Sequence, residues 1–221
     1  MTRRQSLIHC TALLAWAAGG ASLSLWTRAA TPHAGEARLL VLGDSLSAEY
    51  GLQRGSGWVA LLEQRLKKEG IRASVLNASV SGETSAGGLA RLPALLRQHR
   101  PSLVILELGA NDALRGLPLE AARANLTAMA QAAKKAGARV LIIGMQVPPN
   151  YGRQYSDRFA ALFGDTARAE GTALVPFMLK GIADIPAAET MFQADRVHPL
   201  AAAHPIILAN IWPTLEPLLK S

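Results

Sequence analysis

What most constrains this chain is a series of short apolar runs separated by longer stretches of helical periodicity. Residues 38–42, 103–108 and 140–143 are nearly continuous runs of Leu, Val and Ile, and 73–77 and 173–176 are shorter ones. Strands that are apolar along their whole length have both faces covered, which is the pattern of a parallel sheet. The covers lie between them. Residues 58–69, 88–98, 119–135, 157–170 and 201–219 carry helical patterns; in the first, Trp58, Leu61, Leu62 and Leu66 make one stripe and Gly70 ends it. Alternation of this kind predicts an α/β fold, a three-layer α/β/α doubly wound parallel sheet in one domain over residues 31–221. Ligands bind such sheets beyond the carboxyl ends of the strands. Chemistry is therefore expected in segments 43–45, 77–82, 109–112 and 145–151.

The formal net charge of +7 does not mark a nucleic-acid binder. Arg3, Arg4 and Arg28 lie in a stretch of 30 residues without an acid, the remaining Lys and Arg are scattered, and aromatic residues are only 5%. Nucleic-acid readers concentrate charge on one face and interleave stacking rings. No glycine-rich dinucleotide or phosphate loop follows the first strand, so no nucleotide cofactor is expected. No His/Cys cluster or His-Glu-x-x-His pair offers a metal site, and the Gly-x-Ser-x-Gly elbow is missing too.

Residues 1–30 read as an export signal: Arg3-Arg4, then an acid-free apolar stretch from Leu7 to Trp26, then Ala29-Ala30. The paired arginines and an apolar stretch diluted by Gly19, Gly20, Ser22 and Ser24 predict the twin-arginine route to the bacterial periplasm or beyond. An uncleaved N-terminal anchor is the alternative, since 7–26 is nearly long enough to span a bilayer. Cys10 lies near the start of the apolar stretch, whereas a lipid-modified cysteine follows it. Cleavage near Ala30 would leave a mature chain free of cysteine and with no stable membrane insertion.

Ser45 follows the first strand at a Gly-Asp-Ser turn, where a helix start would expose its hydroxyl above the sheet edge and aim backbone N–H groups at a ligand. A serine there is also a common helix cap. Asp195 precedes His198 by three residues, close enough to accept its Nδ1 proton and leave Nε2 free as a base. Taken alone, His198 reads more simply as a surface histidine beside a helix start. His204 has no Asp before it at short range. Leu114, Val147, Pro148, Tyr151 and Phe192, with Ile182 and Ile185, are expected to be partly core and partly the lining of an apolar ligand groove.

Gly43-Asp44-Ser45-Leu46-Ser47 resembles the first block of the SGNH, or GDSL, hydrolases. Gly82 in the run 77–84 resembles the second block, Gly109-Ala110-Asn111-Asp112 the third, and Asp195-x-x-His198 the fifth, in the family's order. The stretches 43–51, 88–96, 111–116 and 148–153 are similar to the exported bacterial branch of multifunctional thioesterase I, arylesterase and lysophospholipase. The resemblance implies a flavodoxin-like fold and a serine esterase or thioesterase that cleaves aryl esters, lysophospholipids or acyl thioesters through a covalent acyl-enzyme. It makes Ser45 the nucleophile, His198 the base and Asp195 its orienting acid. It gives the oxyanion hole to the backbone N–H groups of Ser45 and Gly82 and the side chain of Asn111. No cofactor or metal is implied; the partner is a small-molecule or lipid acyl ester, and the chain is expected to be a monomer. A carbohydrate O-acetylesterase of the same family is the alternative, and a non-catalytic exported binding protein a more distant one. Glu49, Arg196 and Leu200 depart from the family's habit, which leaves the triad intact and the substrate preference at the pocket mouth open.

Overall fold

The computed structural model describes residues 36–220, so the expected export signal and Cys10 lie outside the described residues. Five parallel strands form one sheet in the order β2-β1-β3-β4-β5. They are β1 (Ala37–Gly43), β2 (Ala73–Asn77), β3 (Leu103–Glu107), β4 (Arg139–Ile143) and β5 (Ala173–Val175), each within two residues of the apolar run that predicted it. Leu39 to Leu42 and Leu103 to Leu106 are buried side by side at the centre, with Leu39 opposite Leu103 and Gly43 opposite Glu107. Near-complete burial explains why residues 39–42 and 103–106 are apolar in succession and not at alternate positions.

Helices α1 (Trp58–Lys68) and α6 (His204–Lys220) pack together on one face. On the other lie α2 (Ser85–His99), α4 (Leu119–Lys135) and α5 (Arg153–Glu170). The three layers are the doubly wound fold that the alternation predicted. Because β2 and β3 lie on opposite sides of β1, the chain reverses its direction of travel across the sheet there. A crevice at the carboxyl ends of β1 and β3 follows from that reversal.

Three local features differ from the sequence reading. No helix follows β1: residues 45–50 make a turn, and the first helix starts at Trp58. A five-residue helix, α3 (Ala110–Leu114), follows β3. Residues 201–203 form a short 3-10 turn before α6 proper. No helix among the described residues is long and apolar enough to cross a membrane.

Candidate active site

The turn after β1 is short because its backbone forbids continuation. The Ala48 N–H donates to the Asp44 carbonyl over 3.0 Å, a single helical turn, and Glu49 then adopts a left-handed φ of 60° that no helix accommodates. Asp44 is buried beneath the turn, and its carboxylate accepts the Leu46 N–H and the Asn111 amide N–H, each at 3.0 Å. Burial pushes the Asp44 carboxyl up to about 6 against these hydrogen bonds. The turn thus presents Ser45 at the sheet edge, and Asp44 ties it to the segment after β3.

His198 bridges two of the predicted residues. Its Nε2 lies 2.9 Å from Ser45 Oγ and its Nδ1 2.7 Å from Asp195 Oδ2. With Asp195 ionised, Nδ1–H donates to the carboxylate and Nε2 accepts the serine proton. The other carboxylate oxygen, Oδ1, accepts the backbone N–H groups of Val197 at 2.9 Å and His198 at 3.0 Å. The His198 N–H is the foremost of the bonds that hold the Asp195 carboxyl down at about 2. The Tyr50 ring lies against the imidazole, centroids 4.3 Å apart.

Asn111 stands in the first turn of α3, at the carboxyl end of β3, on the wall of the cavity that Ser45 and His198 also line. Gly82 sits in the turn after β2 at φ 77°, a conformation that favours glycine, and its carbonyl accepts a hydrogen bond from Arg115. It is not among the residues that line the cavity.

That cavity is about 500 Å³, and its interior is mostly apolar. Leu114, Val147, Pro148 and Phe192 line it as the sequence reading expected. Tyr151 does not: its hydroxyl donates to the Leu114 carbonyl and its ring stacks on Tyr155. Ile182 is fully buried in the core and Ile185 is exposed, and neither lines the cavity. Of the three departures from the family's habit, only Arg196 reaches the wall. Glu49 turns away and caps the start of α1, accepting the N–H groups of Gly55 and Gly57. Leu200 is exposed outside the cavity.

The remaining polar residues are structural. His204 is buried, its Nδ1 accepts the Trp58 backbone N–H at 3.0 Å, and burial lowers its pKa, so it serves α1 as a neutral cap. Asp112 accepts both the backbone N–H and the hydroxyl of Ser85, which starts α2. Sequence reasoning missed Phe177 and Leu179 on the cavity wall, which lie in a segment without periodicity. It also missed Glu107, whose signal was its place as the one charge in an apolar strand.

A serine hydroxyl, an imidazole and a carboxylate in one hydrogen-bonded line, beside an apolar cavity, define a hydrolase of acyl compounds. The GDSL-like lipase/acylhydrolase family matches residues 41–206, and this chain belongs to it. It is 53% identical to esterase TesA of Pseudomonas aeruginosa over 189 residues, 86% of this chain and 92% of that one. It is 40% identical to thioesterase 1/protease 1/lysophospholipase L1 of Escherichia coli K12 over 182 residues, 82% and 85% of the two chains. The crystal structure of the psychrotrophic esterase EstA from a Pseudoalteromonas species, inhibited by monoethylphosphonate, superposes with a TM-score of 0.78. It shares 39% identity, over 84% of this chain and all of that one. The protein is therefore an acyl-ester hydrolase.

Proposed function

We propose that this protein is a serine hydrolase of acyl esters and thioesters in which Ser45 is the nucleophile, His198 the general base and Asp195 the group that orients it. The observation that carries the reading is the position of His198, within hydrogen-bond reach of Ser45 on one side and Asp195 on the other. His198 Nε2 removes the Ser45 proton as Oγ attacks the acyl carbonyl. The oxygen of the tetrahedral intermediate is stabilised by the Asn111 amide together with the N–H groups of Ser45 and Gly82. As the intermediate collapses, imidazolium returns the proton to the departing alcohol or thiol. Water, deprotonated by the same Nε2, then attacks the acyl-Ser45 ester, and the carboxylic acid leaves with Ser45 restored.

The acyl chain occupies the apolar cavity between Leu114, Val147, Phe177 and Phe192. Relatives that carry the names esterase and thioesterase/lysophospholipase support substrates with such chains. We place the enzyme outside the cytoplasm, exported as a monomer through a twin-arginine signal in residues 1–30. Chromogenic acetyl, hexanoyl and decanoyl esters assayed in parallel test the substrate reading. Turnover should favour the longer chains, and activity confined to acetyl esters would point to the O-acetylesterase reading instead.

A further inference from the structure

Directly behind the nucleophile turn lies a carboxyl that the hydrolytic steps do not use. Glu107 ends β3 opposite Gly43 and is 2% exposed, enclosed by the core. Its Oε2 accepts the Ser47 hydroxyl at 2.7 Å and the Asp44 backbone N–H at 3.2 Å, residues on either side of Ser45. Ser47 Oγ in turn accepts the indole N–H of Trp58 at 3.1 Å. The same carboxyl explains why position 43 is glycine, since a Cβ there would lie 2.6 Å from Glu107 Oε2 and 2.8 Å from Ser47 Oγ.

We propose that Glu107 is a positioning residue of the hydrolytic reaction: its carboxyl, projecting from the central strand, sets the turn that aims Ser45 at His198. The proposal rests on the reading of Ser45 as nucleophile. An acid buried only for stability would be an expensive choice, because an apolar side chain of similar size commonly serves a core equally well. Burial and the neighbouring charge of Asp44 push the Glu107 carboxyl well above the usual carboxylate range, which favours the neutral acid. A neutral acid accepts the Asp44 and Ser47 hydrogen bonds without placing a second charge under the turn. An amide could do the same.

Glu107→Gln and Glu107→Leu, with Ser45→Ala as the control, separate the possibilities. Steady-state kinetics, phosphonate labelling rate and melting temperature are measured on each. Glu107→Gln should stay within about threefold of the parent in kcat, since it retains an acceptor oxygen. Glu107→Leu should lose roughly 10–100-fold in kcat and in labelling rate, with KM changed less than twofold. If Glu107→Leu fails to fold, Ser47→Ala removes one of the two bonds and should lower kcat and labelling together by about 3–10-fold. A folded Glu107→Leu with the parent's kcat overturns the proposal, as does a Gln variant as impaired as the Leu one. An unfolded Glu107→Leu accompanied by Ser47→Ala at parental rates overturns it as well. Labelling that persists in Ser45→Ala overturns instead the nucleophile assignment beneath it.

Discussion

The two halves of the proposed catalytic arrangement are held in place by opposite means. The nucleophile turn is fixed from below by groups distant in the sequence: Glu107 takes its Asp44 N–H and Ser47 hydroxyl, and Asn111 donates to its Asp44 carboxylate. The loop bearing the base is fixed chiefly by itself. Asp195 accepts the N–H groups of Val197 and His198, the Gln193 N–H donates to the His198 carbonyl, and Phe192 pairs with Pro199. Besides the Ser45–His198 hydrogen bond, Tyr50 joins them twice: its ring lies against the imidazole and its carbonyl accepts the Gln193 side chain at 2.9 Å. Burial differs in the same sense, since Asp44 is 1% exposed while the Asp195 side chain is 40% exposed. A nucleophile set in the core keeps its aim through the core's rigidity, whereas a base on a self-supported loop owes its aim to one carboxylate.

The comparison breaks first at the base. Removing His198 as alanine should cost on the order of 10⁵–10⁶ in kcat, because a triad fails as a unit. Replacing Asp195 by alanine should cost about 10⁴ in kcat while unfolding free energy changes by less than about 1 kcal/mol. The loop is exposed and its loss of order is local. A melting temperature that fell as far as activity would show that the loop is structurally coupled to the core. If its amide meets the oxyanion as proposed, and not the ground-state carbonyl, Asn111→Ala should lower kcat by about 10²–10³ with little change in KM. An active but destabilised variant would confine Asn111 to its bond with Asp44.

The two aspartates should also respond oppositely to pH. Asp44 titrates at about 6 in the fold against an ordinary 3.8, so the folded state binds more protons between those values. Its contribution to stability is complete below about pH 4 and is lost as pH rises through 6. Asp195, at about 2, contributes above pH 4 and is lost as pH falls through 2, an effect reduced by its exposure. Thermal melts from pH 3 to 8 check the signs: relative to Asp44→Asn, the parent's melting temperature should fall across pH 4–6, and a rise would refute the assignment. The smallest effect is at Trp58→Phe, which leaves Ser47 without its indole donor and should cost about 1–3 kcal/mol in stability.

These contrasts also explain what the sequence could disclose. Asp195 and His198 were legible together because their interaction spans three residues, so spacing alone brings the groups into reach. Ser45 and Asn111 were legible because they follow apolar runs, and a doubly wound sheet brings such positions to one edge. Glu107 stood out only as the one charge in an apolar strand, and its partners Ser47 and Asp44 lie 60 and 63 residues away, beyond the reach of any local pattern. The turn at 45–50 was misjudged as a helix start because only the left-handed backbone of Glu49, a residue with no special liking for it, ends the turn. Helix α3, at five residues, is too short to show a period.

The central claim is that Ser45 attacks because His198 takes its proton, and covalent capture by an organophosphorus ester tests it most directly. Intact-mass measurement and peptide mapping should find a single adduct per chain, on Ser45. Ser45→Ala should form none, and His198→Ala should label at least about 10³-fold more slowly. An adduct on another residue, or labelling of Ser45→Ala at the parent's rate, would contradict the account.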